Sequence, residues 1–251
     1  MDPFHNALGI SAYRGDGFIT HPLFTLISTP VEVRPRLGVI GMSKVLLING
    51  SPNEHGCTYT ALAEMAATFE KEGVESEIYW IGKGDVPGCK SCRYCKKKGK
   101  CVIDDQVNAL AARLDEFDGI VIGAPVYYAG PSGQSCAFMD RLFYSVDKSK
   151  LINKPGTAIV SCRRGGASSS YDRLLKYFSI TSMPIVSSQY WNQVHGNTPD
   201  EVRQDLEGLQ TMRTLARNMA WLIKCIDAGK AAGVPLPERE TPTMTNFIRP
   251  E

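Results

Sequence analysis

The chain has 251 residues, of which 43% are hydrophobic and 22% are charged, an ordinary composition for a folded protein. These values exclude a wholly disordered chain and a collagen-like repeat. The sequence contains no apolar run of about 18 residues, so a membrane-spanning helix is not expected. The formal net charge of +2 is too small to indicate nucleic-acid binding, and the length suits one large domain.

Positive charge and cysteine are concentrated in one short stretch. Residues 82–101 contain seven Lys or Arg and one Asp, a net charge of +6, together with four of the eight cysteines. A secreted disulfide scaffold would be short and cysteine-rich throughout. We therefore expect a reducing, cytoplasmic location.

The N-terminal residues differ from the rest of the chain. Residues 1–41 have scattered Pro and Gly without a sustained period of 2 or 3.6, which predicts a poorly structured extension. They lack the basic start, apolar stretch and cleavage site of a signal peptide. Met42 directly precedes a clear strand, and we hypothesise that it is the natural start. The main domain is expected at 42–240, with a cysteine loop at 82–103 and a tail at 241–251.

From residue 43 onward, apolar strands alternate with amphipathic helices. Strands are predicted at 44–49, 77–81, 119–124, 157–161 and 185–190. Helices are predicted around 61–69, from Asp104 onward, and at 133–144, 171–178 and 199–228. This alternation predicts a doubly wound α/β fold, with a five-stranded parallel sheet, helices on both faces and a long C-terminal helix.

The C-terminal helix has the clearest predicted start. Thr198 is the expected cap, with Pro199 at the first helical position and Glu201 three residues after the cap. An apolar stripe continues until Gly229, the expected stop. A helix of this length exceeds the width of a small domain, so we expect either a break at Gly208 or a projection that packs on another subunit.

Ligands of doubly wound sheets bind outside the carboxyl ends of the strands, so the loops there carry the functional hypotheses. The loop at 49–58 has small and hydroxyl residues before a helix, which suits a phosphate. It lacks both Gly-x-Gly-x-x-Gly and the Lys of a triphosphate loop, so a monophosphate fits better. A plain turn with Thr58 as the helix cap is the alternative.

The loops after the third and fourth strands suit a planar ligand with polar edges. Tyr127 and Tyr128, in the loop at 124–133, are suited to lie against a ring. Arg163 and the glycines of the loop at 161–167 are suited to meet polar ring atoms. Plain packing of the tyrosines and a solvated arginine turn are the alternatives.

The residues that carry a family resemblance are Gly50-Ser51-Pro52, Gly56-Cys57-Thr58, Pro125-Val126-Tyr127-Tyr128-Ala129-Gly130 with Asp140-Arg141, and Ser161-Cys162-Arg163-Arg164-Gly165-Gly166. Together they resemble the NADPH-dependent FMN reductase group of the flavodoxin-like superfamily, from residue 43 to about 238. The resemblance implies a strand order of 2-1-3-4-5 and FMN as cofactor. It implies that the FMN phosphate lies at Ser51, Asn53 and Thr58, and the ring edge at Pro125, Val126, Tyr127, Tyr128, Arg163 and Gly165. Cys57 departs from the polar Asn or Ser often found there, and a thiol is a poorer hydrogen-bond partner.

The cysteine loop indicates a second cofactor. Cys89, Cys92, Cys95 and Cys101 follow one another at spacings of three, three and six residues. A structural zinc site usually has two separated pairs, so this compact spacing favours a [4Fe–4S] cluster, although no Pro follows as in bacterial ferredoxins. The surrounding cations favour thiolates. The spacing resembles that of iron–sulfur flavoproteins, a branch of the same superfamily. Zinc, and free thiols in a structural loop, are the alternatives.

These features predict an FMN-dependent oxidoreductase or electron-transfer flavoprotein. It would move electrons between NAD(P)H or a ferredoxin-type donor and a small acceptor. Because the cofactors perform the chemistry, we assign no catalytic side chain, and we interpret His195 as a hydrogen-bonded loop histidine. One alternative is a cluster-free NAD(P)H-dependent FMN or quinone reductase; another is a non-enzymatic electron carrier. The resemblance suggests a homodimer or homotetramer, and neither nucleic acid nor a membrane is expected as a partner.

Overall fold

The computed structural model describes residues 42–245, so the expectations for residues 1–41 and for the end of the tail lie outside the described residues. The strands are β1 (Lys44–Asn49), β2 (Glu75–Trp80), β3 (Gly119–Tyr127), β4 (Gly130–Pro131), β5 (Gly156–Cys162) and β6 (Gln193–His195). The helices are α1 (Cys57–Lys71), α2 (Tyr94–Lys98), α3 (Gln106–Arg113), α4 (Gly133–Ser145), α5 (Ala167–Ile180), α6 (Pro199–Gln204) and α7 (Leu206–Ala231).

Five parallel strands form the sheet in the order β2-β1-β3-β5-β6. In this sheet Leu47 of β1 is aligned with Ile78 of β2 on one side and with Val121 of β3 on the other. The order confirms the predicted doubly wound, flavodoxin-like arrangement. The sequence does not predict the sixth strand, β4, which pairs antiparallel with the end of β3.

The central strands are largely buried on both faces, which explains their continuous apolar sequences. Successive side chains point to opposite faces of a strand. Leu46 and Ile48 accordingly belong to a core shared with α3, α4 and α5. Val45 and Leu47 belong to a second core shared with α1 and α7. No helix in the described part of the chain is long and apolar enough to cross a membrane.

The last parallel strand does not lie at 185–190 as predicted. An isolated bridge joins Ile185 to Gly156, and regular pairing resumes only at β6, beside the end of β5. Between these points, Nδ2 of Asn192 donates to the carbonyl oxygen of Ala158 (3.1 Å). The Asn192 side chain therefore replaces the main-chain donor that a regular strand would supply here. Residues 185–190 accordingly do not extend the sheet.

The C-terminal helix is broken at Asp205, three residues before the predicted position. Thr198 caps α6 as predicted, since its Oγ1 accepts from the amide of Glu201 (3.3 Å). Asp205 ends α6 and caps α7 through Oδ1, which accepts from the amide of Gly208 (2.9 Å). The other oxygen of Asp205 accepts from the amide of His195 in β6 (2.6 Å). The helix packs on α1 and the sheet through a buried apolar stripe.

Smaller differences from the predicted boundaries have local causes. Helix α3 begins after Asp104 because Asp105 is its cap, with Oδ1 accepting from the amide of Val107 (3.0 Å). Strand β2 is shifted toward the N-terminus, α5 begins earlier, at Ala167, and β3 continues to Tyr127 as one arm of a hairpin.

Asp205→Ala should lower the free energy of unfolding by about 2 kcal/mol. The substitution removes the cap of α7, worth about 1 kcal/mol, and leaves the His195 amide without its acceptor. Urea unfolding of the variant measures the loss. Asp200→Ala is the control: Asp200 makes an exposed ion pair with Arg203, so its loss should change stability by no more than about 0.5 kcal/mol. Equal losses in the two variants would contradict the tethering role of Asp205.

Candidate functional site

The loops after β1, β3 and β5 are joined at the carboxyl edge of the sheet. The amide of Gly50 donates to the carbonyl oxygen of Gly123 (2.8 Å), which links the β1 loop to β3. The hydroxyls of Thr58 and Ser161 are 2.8 Å apart, which links α1 to the end of β5. The structure therefore brings together the three segments that the sequence assigns to FMN.

The loop between β1 and α1 is held as a tight turn by its own side chains. Oδ1 of Asn49 accepts from the amide of Ser51 (3.1 Å), and Nδ2 of Asn49 donates to the carbonyl of Glu54 (2.9 Å). Oγ of Ser51 accepts from the amide of Asn53 (3.1 Å), and Nε1 of Trp80 donates to the carbonyl of Ser51 (2.8 Å). These contacts fix the turn directly in front of α1.

The N-terminus of α1 is open to an anion. Its cap residue is Gly56, which has no side chain to accept from the first helical amides. A helix N-terminus with such amides binds phosphate readily. The alternative reading of Thr58 as the cap is wrong, because the Thr58 side chain is 1% exposed and points to β5. Burial raises the pKa of the neighbouring Cys57 thiol, so this group stays neutral.

Two serines at the start of α4, the cap residue Ser132 and Ser135 of the first turn, hold the β1 loop from the other side. The hydroxyls of Ser132 and Ser135 both donate to the carbonyl oxygen of Gly50, at 3.2 and 2.8 Å. A Cβ at Gly50 would lie 2.2 Å from Oγ of Ser135 and 2.9 Å from the carbonyl oxygen of Gly123. Glycine is therefore required at position 50 by the close approach of α4 and β3.

The hairpin of β3 and β4 presents the two tyrosines at the carboxyl edge. Its two turn residues, Tyr128 (φ 51°) and Ala129 (φ 58°), are both left-handed, as a type I′ turn requires. Neither is Gly or Asn, so the turn is strained. Tyr128 is fully exposed and Tyr127 half-exposed, and plain packing is therefore wrong for Tyr128. Oγ of Ser169 secures the tip by donating to the carbonyl of Ala129 (2.5 Å).

The loop after β5 lies beside this hairpin. Arg163 and Gly165 are exposed there. Gly166 (φ 90°) directly precedes α5 as its N-cap residue, and a Cβ at this position would lie 2.5 Å from Cα of Ala129. At the base of the loop, Sγ of Cys162 lies 3.5 Å from Nδ1 of His195. Burial raises the pKa of Cys162, which keeps this thiol protonated.

The four clustered cysteines line one pocket beside the C-terminal half of α4. The pocket is also lined by Arg141 and Ser145; its cysteines are Cys89, Cys92, Cys95 and Cys101. Cys95 lies in α2, a short helix that the sequence does not predict. All eight cysteines of the chain are free thiols.

A metal site built from four cysteines requires that their thiols lie together, and here the four thiols line one pocket. Within residues 42–245, no three His, Cys, Asp or Glu side chains converge closely enough to hold a single metal ion. A tetrahedral zinc ion with bonds of about 2.3 Å would need sulfurs about 3.8 Å apart, whereas in a [4Fe–4S] cube each cysteine would bind a different iron.

Arg141 ties the cysteine loop to the domain. Its side chain is fully buried, and its two terminal nitrogens donate to the carboxylate of Asp105 at 2.6 and 2.8 Å. Nη2 also donates to the carbonyl of Ile103 (3.0 Å), and Nε donates to Sγ of Cys101 (3.4 Å). This contact places a fixed cation beside the sulfur of Cys101.

Residues 43–198 match the family model of the NADPH-dependent FMN reductases. The chain belongs to this family. It is 33% identical over 190 residues to an iron–sulfur flavoprotein of Methanocaldococcus jannaschii, a match that covers 73% of this chain and 98% of that protein. It is 26% identical to an iron–sulfur flavoprotein of Methanosarcina thermophila, covering 74% and 98% of the two chains.

Solved structures support the fold of this FMN reductase. RosB, with a bound riboflavin-5′-phosphate derivative, superposes with a TM-score of 0.59 at 15% identity, covering 83% of this chain and 93% of that one. FerB of Paracoccus denitrificans, a flavoenzyme NAD(P)H:acceptor oxidoreductase, superposes with a TM-score of 0.55 at 16% identity, covering 73% and 98%. At this identity the likeness concerns the fold alone.

Local sequence patterns do not indicate most of the residues that connect the elements of this site. Ser132 directly precedes a predicted helix, and serine is a preferred cap residue, so the sequence could have indicated its role as a cap. Ser169 and the pairing of Arg141 with Asp105 gave no local signal, because each contact joins segments more than 30 residues apart. The family motif Asp140-Arg141 marks Arg141 without indicating that it contacts a cysteine.

Gly50→Ala should weaken FMN binding at least about tenfold and reduce the preference for FMN over riboflavin. The added methyl group forces the phosphate loop away from Ser135, and overpacking of this kind costs about 1–3 kcal/mol. Quenching of flavin fluorescence measures both affinities. Gly84→Ala is the matched control, since a Cβ at Gly84 meets no described atom within 4 Å. Unchanged FMN affinity in Gly50→Ala would contradict the assignment of the phosphate loop.

Proposed function

We propose that this FMN reductase is an iron–sulfur flavoprotein that transfers electrons between NAD(P)H or a ferredoxin-type donor and a small acceptor. In this proposal FMN lies at the carboxyl edge of the sheet, and a [4Fe–4S] cluster is held by the four cysteines of the loop. The observation that carries the proposal is the single pocket lined by Cys89, Cys92, Cys95 and Cys101.

Two further observations support the cluster. The buried Arg141 guanidinium donates to Sγ of Cys101, and a cation at this position suits an anionic cluster. The two relatives named above are called iron–sulfur flavoproteins, and the matches extend over 98% of their lengths.

For FMN, the chain offers a backbone site for the phosphate and an aromatic edge for the ring. The turn around Ser51 and Asn53, with the amides at the start of α1, suits the phosphate. Tyr127 and Tyr128 present aromatic surface, and Arg163 brings a cation to the same edge. FMN supplies electron transfer in single or paired steps, which would let the protein join a hydride donor to a one-electron carrier.

The surface of the cysteine loop suits an acidic electron-transfer partner. Cys89 and Cys92 are exposed within a stretch whose net charge is +6. Cations around an exposed redox site increase the association rate of a negatively charged partner. A homodimer or homotetramer stays a prediction.

Reconstitution without oxygen tests the proposal. The wild-type protein, treated with iron, sulfide and FMN, should bind one FMN and about four iron and four sulfide per chain. Cys95→Ser should lose most of the iron and sulfide but keep FMN, because the β1 loop contacts the start of α4 whereas the cysteines lie beside its C-terminal half. Cys225→Ser, which alters an exposed thiol of α7, is the matched control and should keep both cofactors.

The alternatives give different results in the same experiment. A wild-type protein with FMN but one zinc or no metal per chain would contradict the cluster and leave a flavin-dependent reductase. Equal rates of electron transfer from NADPH to a small quinone in the wild type and in Cys95→Ser would give the cysteines a structural role. No turnover with either nucleotide, together with electron exchange with a ferredoxin, would indicate an electron carrier.

A further inference from the structure

Three residues of α4 line the cysteine pocket, and two of them, Arg141 and Ser145, are buried hydrogen-bond donors. Arg141 and Ser145 are four residues apart, so they lie on the same side of the helix, and both line the pocket. Arg141 has its side chain completely buried, and Ser145 is 7% exposed. Their positions give α4 two hydrogen-bond donors beside the thiols.

Ser145 carries an unusual polar group. Its Oγ is the one buried side-chain nitrogen or oxygen in residues 42–245 that has no hydrogen-bond partner. Buried hydroxyls in folded proteins are almost always paired, so an unpaired one calls for a ligand or another explanation. Since Ser145 lines the pocket of the four cysteines, the group suited to accept from it is a cluster sulfur.

Arg141 is prevented from moving away from the thiols. Asp105 holds both terminal nitrogens, and the carbonyl of Ile103 accepts from one of them. Nε therefore has a fixed direction, toward Sγ of Cys101 at 3.4 Å. A fixed donor keeps its effect on a sulfur in every redox state of the site.

We propose that Ser145 and Arg141 set the reduction potential of the cluster by donating hydrogen bonds to its sulfur atoms. This inference rests on the proposed function, because it requires a cluster on the four cysteines. One-electron reduction adds negative charge to the cluster, and hydrogen bonds to its sulfurs stabilise that charge. Both residues therefore raise the reduction potential, and they are positioning residues rather than ligands.

Ser145→Ala separates this role from a structural one. In the protein without a cluster, the hydroxyl is buried without a partner, so its removal should leave the melting temperature unchanged or raise it. In the reconstituted protein, the same substitution should decrease the ratio of reduced to oxidised cluster at a fixed potential about tenfold, a shift of about 59 mV for one electron.

A spectroelectrochemical titration of the reconstituted holoprotein, with electron paramagnetic resonance to detect the reduced cluster, measures this ratio. Ser179→Ala, which removes an exposed serine from α5, is the matched control and should leave the potential unchanged. Ser145→Thr keeps the hydroxyl and should retain most of the wild-type potential.

Arg141→Lys keeps the charge but loses the forked contact with Asp105, and it should lower the potential in the same direction as Ser145→Ala. The FMN potential is the internal reference in every variant.

The outcomes are distinguishable. A cluster potential in Ser145→Ala and Arg141→Lys equal to that of the wild type, at equal iron content, would overturn this inference and leave the proposed function intact. A wild-type protein that binds FMN but assembles no cluster would overturn both. A lowered potential in Ser145→Ala that Ser145→Thr restores, without loss of stability in the cluster-free protein, is the result we expect.

Discussion

The ion pair between the buried Arg141 and the partly exposed Asp105 is the interaction on which the cysteine loop depends. Burying a guanidinium is costly unless its donors are all matched, and here the carboxylate, a carbonyl and a thiol take them. Such a pair contributes more to fixing one conformation of the chain than to the free energy of unfolding. It fixes the last cysteine and the start of α3 relative to α4, so a stretch that is largely exposed and rich in like charges still has a defined path.

Helix α4 connects the two halves of the site. Its cap residue Ser132 and its first-turn residue Ser135 hold the carbonyl of Gly50, and its last two turns carry Arg141 and Ser145, which line the cysteine pocket. From Ser132 to Ser145 the helix rises about 20 Å, and it packs on the sheet along its whole apolar face. The two proposed cofactor sites therefore contact opposite ends of the same helix.

The layout of the fold follows from local patterns, and the details that differ come from contacts between distant residues. Strands β1, β3 and β5 are continuous apolar runs because both faces of the sheet are covered, so their sequences suffice to predict them. The last strand was misplaced because the Asn192 side chain substitutes for the ladder, which no periodicity indicates. Motifs in the sequence mark the three loops at the carboxyl edge and the four cysteines of the pocket. They do not indicate the contacts that hold these segments in place, because the partner of Arg141 lies 36 residues away.

The strained turn at Tyr128 and Ala129 limits the substitutions that would preserve the surface of this protein. A chain selected for stability alone would carry Asn-Gly at these positions, where left-handed backbone costs least, instead of two residues that each cost about 1–3 kcal/mol. That cost maintains an aromatic surface at the rim of the sheet. Substitutions that relax the turn would make the domain more robust while removing the surface against which a flavin ring would rest. At this turn, a substitution that raises the free energy of unfolding would therefore weaken the proposed flavin contact.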